Sequence, residues 1–191
     1  FDRFWTHPSP LNRAIDVAES LAPIVLWIDE VEKGLSSGGD DAGGATARRM
    51  LGTLLTWMQE KREDIFVVAT SNDLTALPPE LQRKGRFDEV FFVDLPTGEE
   101  RAAIFAIHLT LRRQDPGAFE VGELVAASEG FSGAEIEQSV VSGLLRALHA
   151  RHTPDAAAVL EEVRATVPLA RSRPEAVDAI RVCARDLVPA G

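Results

Sequence analysis

Two neighbouring acidic residues, Asp29 and Glu30, directly follow an apolar run from Ile24 to Ile28. A short, continuous apolar run that begins after a proline predicts a strand buried on both faces, as in a parallel sheet. In such sheets ligands bind beyond the carboxyl ends of the strands, and successive side chains point to opposite faces. One carboxylate could therefore hold a hydrated Mg²⁺ while the other orients a water molecule, and hydrolysis of a nucleotide needs both.

On this pair alone, two solvated carboxylates that cap a strand are an equally good interpretation. A carboxylate pair for glycoside hydrolysis fits less well, because that chemistry needs groups on opposed sides of a sugar.

Further polar residues bear on this choice. Asn72 follows a second apolar run, Ile65–Thr70, and Arg83 and Arg86 lie in a basic turn. An amide at a strand end can hydrogen-bond a water or a phosphate oxygen, and arginines can neutralise charge on a transferring phosphoryl group. Singly, the asparagine is more simply a turn former and the arginines a solvated turn. Together and in this order, they favour phosphate chemistry.

The elements that must position these residues follow from hydrophobic spacing. Apolar residues at helical spacing predict a helix over residues 11–22 and another around residues 51–58, and a third strand is predicted at Val90–Val93. Strands separated by helices imply a parallel sheet with helical crossovers. The Ser- and Gly-rich stretch at residues 36–44 is predicted to be a flexible connection, with contact to a bound substrate as the alternative.

Beyond Pro96 the pattern becomes helical, which predicts a bundle of about four helices. The helix starts are marked by two capping boxes and two prolines suited to a first turn: Thr97 with Glu100, Ser132 with Glu135, Pro154 and Pro174. The sequence therefore predicts a sheet-containing part at residues 1–96 and an all-helical part at residues 97–191.

Composition excludes several classes of function. The chain has 191 residues, and no apolar run approaches the roughly 20 residues that a membrane-spanning helix needs. A net charge of −10 argues against a general nucleic-acid surface. The single cysteine, Cys183, permits no internal disulfide and fits a reducing compartment, so we expect a cytoplasmic protein without a membrane partner. No initiator methionine or signal peptide is visible at Phe1, and we expect a part of a longer polypeptide.

Together these motifs resemble those of the AAA family of ATPases, a branch of the AAA+ class. The matching segments are the Walker B strand, the strand with the sensor asparagine, the second region of homology and the start of the lid helix: Ile24–Glu30, Ala69–Asn72, Leu77–Asp88 and Gly130–Ile136. The segment Trp27–Gly34 is most similar to the AAA group of cyanobacterial and plastid genomes. The resemblance implies an α/β fold, with part of a parallel AAA+ nucleotide-binding sheet and flanking helices at residues 1–96, followed by a helical lid subdomain at residues 97–191.

The resemblance also implies roles in the hydrolysis of ATP. Asp29 would support Mg²⁺, Glu30 would polarise the hydrolytic water, and Asn72 would sense the terminal phosphate. Arg83 and Arg86 would act as arginine fingers on the nucleotide of a neighbouring subunit. This implies a ring of identical or related AAA subunits, commonly six.

The lid residues and the coupled activity are likewise implied by the resemblance. Gly133 and Ala134 would pack near the adenine, and Ala134 stands where other AAA+ branches place a sensing arginine. The intact parent would hydrolyse ATP with Mg²⁺ and use the lid motion to remodel a protein partner.

One departure concerns the Walker A loop, which requires a Gly-Lys pair followed by Ser or Thr. The lysines of the chain are Lys33, Lys61 and Lys84, and none follows a glycine. We therefore expect this chain alone to be inactive, with negligible affinity for ATP. The alternative is a shortened, non-hydrolysing module that docks onto other ATPase subunits and supplies arginine fingers. An ATPase acting on DNA, such as a clamp loader, is disfavoured by the acidic balance.

Overall fold

The computed structural model describes residues 9–35, 42–81, 83, 85–184 and 187–189. The chain divides into two compact units. The first unit comprises Phe1–Phe91 with Cys183–Val188, and the second comprises Phe92–Val182 with Pro189–Gly191. Within the described ranges, no helix is both long enough and apolar enough to cross a membrane.

The described part of the first unit contains a parallel strand pair and three α-helices. In chain order these are α1 (Pro10–Ser20), β1 (Ile24–Ile28), α2 (Val31–Leu35), α3 (Ala42–Glu60) and β2 (Ile65–Ala69). Ile24 pairs with Ile65 and Ile28 pairs with Ala69, so the carboxyl ends of both strands meet at one edge. Helix α3 begins inside the stretch predicted as a flexible connection, and residues 36–41 of that stretch lie outside the described residues.

The core of the first unit lies on one face of the strand pair. Ile15 of α1, Leu54 and Trp57 of α3 and Ile65 of β2 are buried together there. The indole Nε1 of Trp57 donates to Glu19 Oε1 at 2.9 Å, so its buried polar atom is satisfied. The buried apolar residues of α1 and α3 thus face the strands, as expected for amphipathic helices.

The prediction that β1 is buried on both faces is wrong for the described part of the chain. Val25 and Trp27 are 63% and 62% exposed, and Phe66 of β2 is 69% exposed. Alternate residues of β1 are partly buried against the core, so the strand shows the period of two expected when one face is covered. An apolar run shows only that its side chains can be buried. Whether they are buried depends on which elements pack against the strand.

The second unit is helical and contains more helices than predicted. They are α4 (Gly98–Leu111), α5 (Val121–Ala127), α6 (Gly133–His149), α7 (Ala156–Ala165), α8 (Leu169–Ser172) and α9 (Pro174–Cys183). Both predicted capping boxes are confirmed, with Thr97 and Ser132 as the N-cap residues of α4 and α6. Pro174 begins α9, whereas α7 begins after Pro154, with Asp155 as its N-cap.

Aromatic and branched residues fill the core of the second unit. Phe105 of α4, Leu124 of α5, Ile136 of α6 and Val159 of α7 are fully buried in one cluster. Helices α6 and α7 approach closely at Gly143, where an added Cβ would lie 2.6 Å from the Cα of Val159. A glycine is required at that crossing because any side chain would overlap the backbone of α7.

The predicted third strand is shorter than expected and belongs to a different sheet. Two strands, β3 (Phe91–Phe92) and β4 (Val188–Pro189), form a separate two-stranded sheet. The flanking residues Val90 and Val93 are exposed. A strand joins a sheet only where a free edge meets its backbone, which an apolar pattern by itself does not specify.

Candidate functional site

The acidic pair and the predicted sensor asparagine lie at the shared carboxyl edge of β1 and β2. Backbone hydrogen bonding continues past the strand ends, because Thr70 N donates to Ile28 O at 2.9 Å and Val31 N donates to Thr70 O at 2.9 Å. These two bonds set the register of the loops that follow. Asp29 and Glu30 are therefore held opposite Thr70, close to Asn72.

The hydroxyl of Thr70 contacts both acidic residues. It donates to Asp29 Oδ1 at 2.5 Å and accepts the Glu30 backbone N–H at 3.0 Å. Thr70 was not among the site residues predicted from the sequence. The available signal was a hydroxyl residue directly after the strand that runs beside the acidic one.

Glu30 turns the chain away from β1 with an unusual backbone conformation. Its φ angle is +48°, in the left-handed region that non-glycine residues seldom occupy. Its carbonyl accepts the Lys33 N–H at 2.9 Å, which starts the turn of α2. Such conformations cost on the order of 1–3 kcal/mol and persist where the surroundings hold them, here through Thr70.

Two donors hold the carboxylate of Glu30. Asn72 Nδ2 donates to Oε1 at 3.1 Å, and Lys33 Nζ lies 2.6 Å from both Oε1 and Oε2. The hydrogen bond to Glu30 raises the pKa of Lys33, against an opposing effect of desolvation, and the charges of Glu30, Glu32 and Asp29 raise it further. The predicted water-activating residue and the predicted sensor residue are thus in direct contact.

Glu32 is an additional acidic residue near this contact, and it was not among the site residues predicted from the sequence. It is only 6% exposed. Its Oε1 accepts the Asn72 backbone N–H at 3.2 Å, while Oε2 is buried and has no hydrogen-bond partner among the described residues. Asn72 is therefore fixed at its backbone by Glu32 and at its amide by Glu30.

The segment after Asn72 is anchored by Asp73. Its Oδ1 accepts from the N–H and the hydroxyl of Thr75 at 2.8 and 2.6 Å, which caps a short 3-10 helix, Leu74–Ala76. The hydrogen bonds from Thr75 hold the pKa of the Asp73 carboxyl below its usual value. The residue that follows Asn72 is thus held by its own hydrogen bonds to Thr75.

The two arginines of the basic turn occupy different environments. Arg83 is exposed. Arg86 is half-buried, and its Nη1 donates to Leu55 O of α3 at 2.6 Å. Gly85 has a φ angle of +90°, a conformation that glycine adopts without steric cost. The turn therefore presents one exposed guanidinium, that of Arg83, and anchors the other, that of Arg86, on its own unit.

Gly133 and Ala134 lie in the second unit, at the start of α6. The capping residue Ser132 accepts the Glu135 N–H at 3.3 Å, and Glu135 Oε2 accepts the Ser132 N–H at 2.7 Å. An added Cβ at Gly133 would meet Ile104 Cδ1 at 3.8 Å, an ordinary contact. The structure thus brings Asp29, Glu30 and Asn72 together in the first unit and places Gly133 and Ala134, the two predicted lid residues, in the second.

The acidic side chains at the strand edge can be compared with the ligands that Mg²⁺ requires. The described residues hold no group of three or more His, Cys, Asp or Glu side chains placed to bind a metal ion. Mg²⁺ commonly takes one or two protein carboxylates, with waters and substrate phosphates completing its shell. Asp29, exposed and with one oxygen bound to Thr70, fits that limited role. A separate carboxylate, Glu30, remains for a water molecule.

Comparison with known proteins shows which family this chain is similar to. Residues 5–95 match the family model described as the ATPase family associated with various cellular activities (AAA). An uncharacterized AAA domain-containing protein ycf46 of Pyropia yezoensis is 38% identical over 179 residues, covering 93% of this chain and 36% of that protein. The ycf46 protein of Trieres chinensis is 42% identical over 167 residues, covering 85% and 33%. The chain spans about a third of the length of these relatives.

Other similarities concern different AAA proteins and the fold. The ATP-dependent zinc metalloprotease FtsH 1 of Symbiobacterium thermophilum is 32% identical over 184 residues, covering 92% of this chain and 31% of that protein. The crystal structure of the FIGL-1 AAA domain matches with a TM-score of 0.73 at 18% identity, covering 93% of this chain and 62% of that chain. A second structure of that domain, in complex with ADP, matches equally well. The α/β AAA+ fold class predicted from the motifs is confirmed.

Proposed function

Since the chain belongs to the AAA family of ATPases, in the group that includes the plastid ycf46 proteins, we propose that its first unit supplies the water-activating part of an ATP hydrolase. The observation that carries this proposal is the contact between Glu30 and Asn72 at the strand edge, 3.1 Å from Nδ2 to Oε1. A water-orienting carboxylate and a phosphate-sensing amide must act on adjacent atoms of one reaction, so they are expected to lie within hydrogen-bond reach of each other.

The proposed reaction is attack of water on the terminal phosphorus of ATP. Glu30 accepts a hydrogen bond from the water and orients its oxygen in line with the breaking bond. The bond between the terminal phosphorus and the bridging oxygen then breaks, which releases ADP and inorganic phosphate. Asn72 donates either to the water or to a terminal phosphate oxygen.

Asp29 is the proposed contact to Mg²⁺. When bound, Mg²⁺ would offset negative charge on the phosphate oxygens. Thr70 holds one oxygen of Asp29 and the backbone of Glu30, and thereby keeps the metal-binding and water-orienting carboxylates in separate positions. This separation supports two distinct tasks for the adjacent acids.

Arg83 and Arg86 are proposed to act on the nucleotide of a neighbouring subunit in a ring, commonly of six. Rings are typical of AAA proteins. An arginine supplied to a transferring phosphoryl group contributes factors of about 10³–10⁵ in rate. The exposure of Arg83 supports its role, whereas Arg86 would have to leave Leu55 O to reach another subunit.

Residues 97–191 are proposed to form the lid, with Gly133 and Ala134 near the adenine, and residues 1–96 to be the C-terminal part of the nucleotide-binding subdomain. The lid motion would remodel a protein client in the cytoplasm. Because the chain holds no Gly-Lys-Ser or Gly-Lys-Thr motif, we expect its own ATP affinity to be negligible. Tight binding in calorimetry with the isolated chain would contradict that expectation.

The test of the proposed function is Glu30→Gln in the full-length polypeptide, followed by phosphate release. The amide keeps the size of the side chain and removes its charge, so turnover should fall at least about a hundredfold, as for loss of a general base. Nucleotide binding should persist. Undiminished turnover would show that Glu30 does not activate the water.

The second candidate is a docking module that supplies Arg83 and Arg86 to other ATPase subunits without hydrolysing ATP. The exposure of Arg83 favours it. The ordered contacts among Asp29, Thr70, Glu30 and Asn72 weigh against it, because an arginine donor has no need of them. Adding the isolated chain to full-length subunits distinguishes the two. A gain in turnover that Arg83→Ala abolishes would support docking.

A further inference from the structure

Lys33 lies in α2, three residues after Glu30, and holds the carboxylate that the proposed function assigns to water activation. Its Nζ is 2.6 Å from each of the two carboxylate oxygens. The ammonium thus lies across the end of the carboxylate instead of beside one oxygen. A water molecule polarised by both oxygens would have to occupy the same place.

The hydrogen-bonding capacity of Glu30 is nearly filled. An ionised carboxylate offers about four acceptor positions, two on each oxygen. Lys33 takes one position on each oxygen, and Asn72 takes a second one on Oε1. This leaves about one position, on Oε2, and none at the end of the carboxylate where a water would contact both oxygens.

We propose that Lys33 restrains Glu30, and that it must release the carboxylate before this residue can activate water. The inference rests on the proposed function and concerns the same site. Lys33 is therefore a positioning residue that acts through Glu30.

The restraint is suited to reversible opening. The side chains of Lys33 and Glu30 are 66% and 38% exposed, and solvent weakens ion pairs of that kind. The pKa of Lys33 is raised by its hydrogen bond to Glu30, so the ammonium stays charged near neutral pH. The long, flexible lysine side chain can leave without a backbone change.

The test compares Lys33→Met with Lys33→Arg in the full-length polypeptide. Methionine approximates the length of the side chain without its charge, so kcat should rise about two- to fivefold, the factor expected from opening an exposed ion pair. KM should stay unchanged, because Lys33 contacts a carboxylate and not the nucleotide. Arginine keeps the positive charge, so the kcat of Lys33→Arg should be close to that of the wild type.

Two controls separate the restraint from other effects. Arg13→Met removes an exposed cation on α1 and should leave kcat unchanged. The melting temperature of each variant shows whether a rate change follows unfolding, and Lys33→Gln serves as a second uncharged variant if Lys33→Met does not fold.

Glu30→Gln distinguishes the two possible failures. If Glu30→Gln abolishes turnover and neither uncharged Lys33 variant is faster than the wild type, the restraint is wrong and the proposed function stands. If Glu30→Gln leaves turnover intact, the proposed function is wrong and the restraint falls with it. Faster turnover in Lys33→Met that is lost in the double variant with Glu30→Gln would support both.

Discussion

The hydroxyl of Thr70 donates to the carboxylate of Asp29 at 2.5 Å, across the pair of parallel strands that ends at these residues. The same oxygen accepts the backbone N–H of Glu30. One hydroxyl therefore orients the proposed metal-binding carboxylate and fixes the backbone of the proposed water-activating residue. The arrangement depends on register, because a shift of one residue would turn Thr70 to the opposite face of the sheet.

Replacing Thr70 with Val tests this relationship, because valine has a similar shape and lacks the hydroxyl. A hydrogen bond to a charged group contributes about 1.5–3 kcal/mol, so kcat in the full-length polypeptide should fall about tenfold or more. The free energy of unfolding of the chain should fall by roughly 1–3 kcal/mol. Thr70→Ser keeps the hydroxyl and should retain most of the activity. Equal rates for the Val and Ser variants would contradict the role of the hydroxyl.

Alanine substitutions at the two arginines of the basic turn should differ in their effect on stability. Arg86→Ala removes the donor to Leu55 O and should lower the free energy of unfolding by about 1–3 kcal/mol. Urea denaturation of the chain measures this change. Arg83→Ala removes an exposed side chain and should change stability by less than about 0.5 kcal/mol. Both should slow turnover of the full-length polypeptide. Identical stability of the two variants would show that the Leu55 contact contributes little.

Gly143→Ala tests the close crossing of α6 and α7. The added methyl would lie 2.6 Å from Val159 Cα, which is backbone and cannot move aside, so we expect at least about 1–3 kcal/mol of destabilisation. Gly122→Ala in α5 is the matched control, because its Cβ would meet nothing within 4 Å. That variant should be neutral or slightly stabilising, since alanine is the better helix former. Urea denaturation of the chain measures both, and an unaffected Gly143→Ala would mean that the helices can separate without cost.

The pH dependence of stability tests the ion pair between Asp94 and Arg181. Partial burial raises the pKa of the Asp94 carboxyl, and the hydrogen bonds from Arg181 and from Leu95 N–H outweigh it, so this pKa lies below its usual value of 3.8. A carboxyl with a lowered pKa in the folded state stabilises the protein above its unfolded value and loses that contribution as the pH falls through its folded value.

Asp94→Asn should therefore be less stable than the wild type at neutral pH, by no more than about 1 kcal/mol because the pair is largely exposed. The difference should shrink as the pH falls through the lowered pKa of Asp94, which lies below 3.8. Urea denaturation between pH 7 and pH 2 measures it. If the stability difference between Asp94→Asn and the wild type persists in acid, it arises from packing and not from the charge of Asp94.

Local signals predicted several features correctly. The capping boxes at Thr97 and Ser132 are confirmed because each involves residues three apart, whose hydrogen bonds depend on the local chain alone. The run before Asp29 forms β1, and the run after Asp64 forms β2, because short apolar runs bounded by charge favour strands. The juxtaposition of Glu30 with Asn72 follows from the parallel pairing of those strands.

Other features could not be predicted from the pattern. The exposed face of β1 at Val25 and Trp27 depends on which elements cover it. Helix α5 is short, and its N-cap residue, Glu120, makes no side-chain capping hydrogen bond, so the sequence lacks the usual signature of a helix start. The requirement for glycine at position 143 arises from a second helix.

By itself, the sequence determined the chemical identity of the site and the order of its elements, because residue type and short-range spacing are properties of the chain. The tertiary structure decided the contacts of each side chain. Thr70 and Asn72 reach the acids across about 40 residues of chain, and Glu32 is buried beneath them. Such contacts depend on the register of two strands and the packing of helices on one face, which no local pattern encodes.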